Sequence, residues 1–187
     1  MAEASRNADF PVWKIKTSSI KRLAMALSLT TLLACTASEE PSKIVNLTQL
    51  EAAIESAQGE GLLLNFWAIW CAPCVAELPE LVEVGHEYRE QGGSVLGVSY
   101  DLMVAGSDPS TIQEKMREFL GGRKLDLSTV IYDEDDFDTL NERFSLPGEI
   151  PVTLAIDKTG KIVDRQYGKA SKARLQEMMR KALGQLD

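Results

Sequence analysis

Cys71 and Cys74 stand three positions apart in the segment Trp70-Cys71-Ala72-Pro73-Cys74, between a dense apolar run from Leu62 to Ile69 and a helix-like stretch from Val75 to Gln91. Two cysteines at that spacing on the first turn of a helix have Cα atoms about 5 to 6 Å apart, inside the window of about 4.4 to 6.8 Å that a disulfide needs. Such a pair opens and closes without refolding the chain around it. The helix start also presents unpaired N–H groups and the positive end of the helix dipole, which stabilise a thiolate and lower the pKa of the first cysteine. The chemistry expected is that of a redox-active dithiol, with Cys71 the more reactive thiol. The same spacing also serves zinc sites, but a structural zinc needs four ligands, and beyond this pair the chain offers only Cys35 and its one histidine, His86. No metal and no cofactor is expected, and His86 reads as a helix-surface residue.

The dithiol needs a strand to end just before it and a helix to begin on it. Leu62 to Ala68 reads as a strand apolar on both faces, which places it centrally in a sheet with helices on either side. The helix that follows carries Pro79 in its interior, where it removes a hydrogen bond and bends the axis. Gly92-Gly93 closes that helix, and Ser94 to Tyr100 gives a second buried strand. The strand–helix–strand order predicts a parallel pair with a right-handed crossover. Upstream, Leu47, Leu50, Ala53, Ile54 and Ala57 give helical spacing over Leu47 to Gln58, with Thr48 as the cap. Downstream, Asp108-Pro109 opens a helix that Gly121-Gly122 is expected to stop. A short strand over Leu127 to Tyr132 and a helix from Asp135 to Phe144 follow. The acidic run Asp133 to Asp136 lacks the alternating ligands and glycine turn of a calcium loop and reads as a solvated helix start. Val152 to Ile156 and Lys161 to Tyr167 form a hairpin around Asp157 to Gly160. Ser171 caps a last helix to Leu183.

The chain has 187 residues, 44% of them hydrophobic, which suits one domain with a substantial core. Its formal charge is −8, yet the first 34 residues hold five basic side chains against two acidic. The remainder carries 15 basic and 26 acidic residues. An acidic body of this kind argues against a nucleic-acid partner, because phosphate binding needs clustered Lys and Arg. Lys14, Lys16, Lys21 and Arg22 precede the uncharged run Leu23 to Leu33, the pattern of an export signal. Eleven residues rise only about 16 Å as a helix, short of the ~30 Å hydrocarbon core. The n-region is long, and Val12 read as an alternative start would give an ordinary signal. Three cysteines are an odd number, and pairing Cys71 with Cys74 leaves Cys35 over. Residues 35–42 form a polar tether.

The buried strand, the Trp-Cys-x-Pro-Cys helix start, a proline five positions after the second cysteine, and Ile150-Pro151 before a hairpin together resemble the thioredoxin fold over residues 43–187. The predicted class is α/β, a central mixed β-sheet flanked by helices with an inserted strand–helix element. The segment Asn65 to Cys74, the continuation Glu77-x-Pro79 and that insert are most similar to the extracytoplasmic, membrane-tethered TlpA/ResA branch. Leu32 to Cys35 likewise resembles the bacterial lipoprotein box, with Leu33 where a small residue is more usual. On that likeness residues 1–34 are a lipoprotein signal peptide, Cys35 is lipidated, and the mature protein faces the periplasm or cell exterior on a membrane anchor. An ordinary cleavable signal that happens to contain a cysteine is the alternative.

The resemblance implies a thiol-disulfide oxidoreductase. Cys71 would form a mixed disulfide with a client and Cys74 would resolve it. Trp70 would pack beside the dithiol, a place that a plain core-edge aromatic could also take. Pro151 would be cis and, with Ile150, would pair its backbone with an extended client strand. Where cytoplasmic thioredoxin keeps a buried aspartate, this chain has Asn65, which accepts no proton at ordinary pH. Glu77, on the same helical face as Cys74, would then help move the resolving thiol's proton; a helix-start carboxylate favoured by the dipole is the simpler reading. Ala72-Pro73 is close to thioredoxin's Gly-Pro and points to the reducing end of the family. A reductant outside the cell needs electrons from a membrane thiol transporter of the CcdA or DsbD type. Its clients would be disulfides of exported proteins, apocytochrome c in cytochrome c maturation among them. Two alternatives belong to other classes. A peroxiredoxin-like peroxide reductase needs Thr three residues before its cysteine, where this chain has Ala68, and a copper-binding module needs CxxxC and a downstream His.

Overall fold

The computed structural model describes residues 42–133 and 137–186. The signal segment, Cys35, the tether up to residue 41 and positions 134–136 of the acidic run lie outside the described residues.

The sheet is built around β2 (Gly61–Trp67), whose seven residues, Asn65 included, are all buried, as a central strand covered on both faces requires. On one side β3 (Gly93–Ser99) runs parallel to it, with Leu64 opposite Leu96. On the other, β5 (Val152–Asp157) runs antiparallel, with Asn65 opposite Thr153 and Phe66 opposite Val152. β4 (Thr129–Tyr132) continues parallel from β3, and β6 (Ile162–Tyr167) closes the expected hairpin with β5. A two-residue strand, β1 (Ile44–Val45), completes the order β1-β4-β3-β2-β5-β6. Two residues are too few for a periodic signal, so β1 has no counterpart in the sequence reading. The mixed sheet and its parallel β2/β3 pair match expectation.

Alternation along β2 sends neighbouring side chains to opposite layers. Asn65 reaches Glu77 of α2 (Ala72–Tyr88), whereas the Phe66 ring meets Phe144 of α4 (Phe137–Phe144) with centroids 5.6 Å apart. α2 packs beside α5 (Lys172–Ala182). α5 also comes close to β2 at Gly61, where a Cβ would fall 2.9 Å from the Ala182 carbonyl carbon.

Helix ends show where local chemistry and expectation part. α1 (Leu47–Ala57) is capped by Asn46, not Thr48: Asn46 Oδ1 accepts from the Gln49 N–H, and Gln49 Oε1 accepts from the Asn46 N–H, a reciprocal capping box. α3 (Pro109–Arg123) starts on the Asp108 cap as expected but runs through Gly121 and Gly122. Each glycine costs about 1 kcal/mol relative to Ala in a helix, too little to end one whose last turn is fixed by packing. Arg123 lies 4.0 Å over the Phe119 ring, and that ring packs on Trp67. The stop falls on Lys124, in the left-handed region at φ 54°. α2 ends at Tyr88, and Arg89–Gln91 form a 3-10 turn.

Strand directions then decide what meets at the working edge. β2, β3 and β6 all run the same way, and β5 runs against them. The chain leaving β2 at Ala68, leaving β3 at Tyr100 and leaving β6 at Gly168 therefore comes to the same end of the sheet as the chain entering β5 at Pro151.

Candidate active site

Cys71 leaves the strand-to-helix turn as the N-cap of α2, and Pro73, with φ preset and no N–H needed, sits in the helix's first turn. Cys71 and Cys74 form a disulfide with Cα atoms 5.3 Å apart. The Cys74 N–H donates to Cys71 Sγ at 3.3 Å, a contact that would stabilise a thiolate in the reduced protein. Cys71 keeps 6% exposure and Cys74 has none, so the first sulfur is the one an incoming disulfide can reach.

Facing it is the peptide bond Ile150-Pro151, which is cis. The Ile150 carbonyl oxygen lies 3.8 Å from Cys71 Sγ, and the Pro151 carbonyl accepts from the Gly168 N–H at 2.9 Å. Trp70, next to Cys71, is 56% exposed. It is a surface group at the rim, not a core-edge aromatic. Tyr167, opposite Val152 in the hairpin, is exposed at 52% and did not stand out in the sequence.

Three residues on from Cys74 along α2, Glu77 enters a buried polar cluster. Glu77 is fully buried, its Oε1 accepting from Asn65 Nδ2 at 2.9 Å and its Oε2 from the Ala170 N–H at 2.8 Å. Asn65 Nδ2 also donates to Thr153 Oγ1 at 2.9 Å. Burial pushes the Glu77 carboxyl above its ordinary range and Glu80 adds to this; the Ala170 and Asn65 donors and the Lys169 charge pull back. A carboxyl so placed gives up its proton at higher pH than an exposed one. The sequence placed Glu77 on the Cys74 side of α2 but gave no sign of Thr153 or Ala170. Their partners lie 88 and 93 residues away along the chain.

Asp101 was also missed. It follows β3, is buried, and accepts the Ile69 N–H on both carboxylate oxygens at 3.1 Å. Burial raises its pKa, against the opposing hydrogen bonds from Ser99 and Ile69. His86 is exposed and sits 3.1 Å from Asp126, a surface pairing as expected of it. Among the described residues no group of three or more His, Cys, Asp or Glu side chains could hold a metal ion.

A family profile described as the AhpC/TSA family matches residues 36–172. The chain is 26% identical over 144 residues to "Thiol-disulfide oxidoreductase ResA" of Bacillus cereus, covering 76% of each. Among solved structures it is similar to a thiol:disulfide interchange protein of the thioredoxin family from Chlorobium tepidum, with TM-score 0.55 and 22% identity over 70% of this chain and 85% of that one. It is also similar to the exposed lipoprotein thioredoxin Etrx1 of Streptococcus pneumoniae, with TM-score 0.55 and 23% identity over 68% and 89%. At these identities the structural likeness concerns the fold, which is thioredoxin-like.

Proposed function

The chain belongs to the AhpC/TSA family and is a thiol-disulfide oxidoreductase, and from that premise we propose that it reduces disulfides in exported proteins. The observation that carries this reading is the Cys71–Cys74 pair, one sulfur reachable and one buried, set against the Ile150-Pro151 peptide. In the reducing direction the Cys71 thiolate attacks one sulfur of a client disulfide. A bond forms between Cys71 and that sulfur, and the other client sulfur leaves as a thiolate that takes up a proton. Cys74 then loses its proton and attacks Cys71 Sγ, which releases the second client thiolate. The client gains two electrons and the protein is left with its disulfide.

Glu77 accepts the Cys74 proton in the second step, directly or through one water, and its raised pKa makes it a stronger proton acceptor than an exposed carboxylate. Asn65 holds the acid in place and takes no proton itself. The Ile150 backbone, presented by the cis peptide to Pro151, pairs with an extended client segment, and exposed Trp70 packs against that segment. A peroxide reductase is disfavoured because Ala68 occupies the place where peroxiredoxins keep threonine, and its side chain is buried and inert.

The site of action in this proposal is outside the cytoplasm. Residues 1–34 are the signal, Cys35 carries the lipid and residues 35–42 are the tether, while no helix among the described residues is long and apolar enough to cross a membrane. Several acyl chains on Cys35 would hold the protein where one would be marginal. Electrons come from a membrane thiol transporter of the CcdA or DsbD type, and apocytochrome c is one fitting client. Reductase activity on insulin disulfides and a lipid-modified N-terminal peptide beginning at Cys35 are expected in the same detergent extract of membranes. Activity released by a salt wash with an unmodified Cys35 contradicts the anchor; an extract that consumes peroxide but leaves insulin intact contradicts the reductase.

A further inference from the structure

The geometry points to Asp101 as a positioning residue: its buried carboxylate clamps the Ile69 N–H and thereby fixes the turn that aims Cys71 at the Ile150 carbonyl and at an incoming disulfide. This rests on the thiol-disulfide reading above.

Between the end of β2 at Trp67 and the helix cap at Cys71, the chain must leave the sheet, turn and present a sulfur. Ala68, Ile69 and Trp70 make that turn, closed by the Cys71 N–H donating to the Ala68 carbonyl at 3.1 Å. An internal bond of this kind shapes the turn without fixing where it points. Two links to the exit of β3 do that. The Tyr100 N–H donates to the Trp67 carbonyl at 2.9 Å, and one residue later both Asp101 oxygens receive the Ile69 N–H. The second link holds the turn itself, two residues nearer the nucleophile than Trp67.

Asp101 is itself held from several sides. The Ser99 hydroxyl donates to Oδ2 at 2.7 Å, the Asp101 N–H donates back to Ser99 Oγ at 3.1 Å, and the Ser107 hydroxyl donates to the Asp101 carbonyl at 3.3 Å. A carboxylate only 3% exposed is costly unless such donors satisfy it. The arrangement is a rigid bracket from β3 to the turn two residues before the nucleophile. The reaction has use for such a bracket, because in-line attack on a disulfide is sensitive to sulfur placement. A misplacement of about 1 Å costs on the order of 10²-fold in rate.

The test compares Asp101→Ala, Asp101→Asn and Ser99→Ala in the full chain, reduced beforehand and assayed on insulin disulfides, with Ile69 amide exchange followed by NMR. Asn keeps one carbonyl oxygen for the Ile69 N–H and replaces the other with an NH2 group that can donate to Ser99 Oγ; Ala loses both oxygens. Asp101→Ala is expected to fall about 10- to 100-fold in kcat/KM with rapid Ile69 exchange. Asp101→Asn is expected to stay within about threefold of wild type with the amide still protected, because its acceptor oxygen survives. A folded Asp101→Ala at the wild-type rate, or an Asp101→Asn as slow as Ala with its Ile69 amide still protected, overturns the clamp and in the second case assigns the effect to charge, whereas a slow Asp101→Asn with rapid Ile69 exchange supports the clamp. Should Asp101→Ala not fold, Ser99→Ala decides: faster Ile69 exchange with slower insulin reduction supports the clamp, and unchanged reduction overturns it. A wild-type chain that reduces no insulin defeats the oxidoreductase reading instead, so the two failures are distinct.

Discussion

Cys74→Ser is expected to stop turnover and leave client proteins covalently attached to Cys71, while Cys71→Ser is expected to bring insulin reduction down to the uncatalysed rate with no adduct at all. The asymmetry follows from access. Cys71 Sγ is the reachable sulfur and carries the stabilising contact from the Cys74 N–H; Cys74 is sealed beneath it. Without Cys71 nothing meets the client disulfide. Without Cys74 the first exchange still proceeds, but the nearest nucleophile able to break the mixed disulfide has gone. Non-reducing gels followed by mass spectrometry of the adducts would read both effects and name the clients. Adducts through Cys74 in the Cys71→Ser protein would show that the order of attack is wrong.

Glu77→Gln is expected to slow resolution of the mixed disulfide by about 10²-fold at neutral pH, the lower end of what general base catalysis supplies. Gln keeps the volume and one acceptor oxygen, enough for the Ala170 N–H, while its NH2 group donates to Asn65 Oδ1 once that amide turns over, so the fold survives and the first attack by Cys71 changes little. Stopped-flow tryptophan fluorescence would separate the two phases. Stability changes in a direction set by linkage. Burial raises the folded-state pKa of Glu77 above its ordinary 4.5, so the folded protein binds this proton more tightly than the unfolded chain. Its contribution is fully present below pH 4.5 and is lost as pH rises through the folded pKa, beyond which it stays constant. Glu77→Gln should flatten that fall in urea-midpoint measurements. An unchanged resolution rate with a flattened stability profile would leave Glu77 a structural acid only.

The parts of the site that are close in sequence were legible, and those assembled by topology were not. The dithiol, its place on a helix start and the Glu77 face depend on spacings of three residues, which helical geometry converts directly into positions. The cis state of Pro151 came through the family resemblance, since most X-Pro bonds are trans. The clamp between Asp101 and Ile69 spans 32 residues and exists only because β3 lies parallel to β2. The Ala170 N–H reaches Glu77 only after β6 has turned back onto α5's start, 93 residues on. No local pattern marks either. Two local readings also missed, each because packing or a competing side chain overrode propensity. Asn46 offers a better acceptor than Thr48 two residues earlier, and Phe119 with Arg123 carries α3 across two glycines that in isolation end helices.

The direction of electron flow rests on Ala72-Pro73 and its likeness to thioredoxin's Gly-Pro, and the reduction potential of the Cys71–Cys74 couple tests it most directly. Equilibration of the full chain with a series of thiol buffers, read by alkylation mass shift, gives that potential. Across the superfamily it runs from about −270 mV for thioredoxin to about −120 mV for the oxidant DsbA, a difference of roughly 7 kcal/mol for two electrons. A value near the thioredoxin end is predicted for a protein that gives electrons to its clients; a value near that of DsbA would make it an oxidant and contradict the proposal.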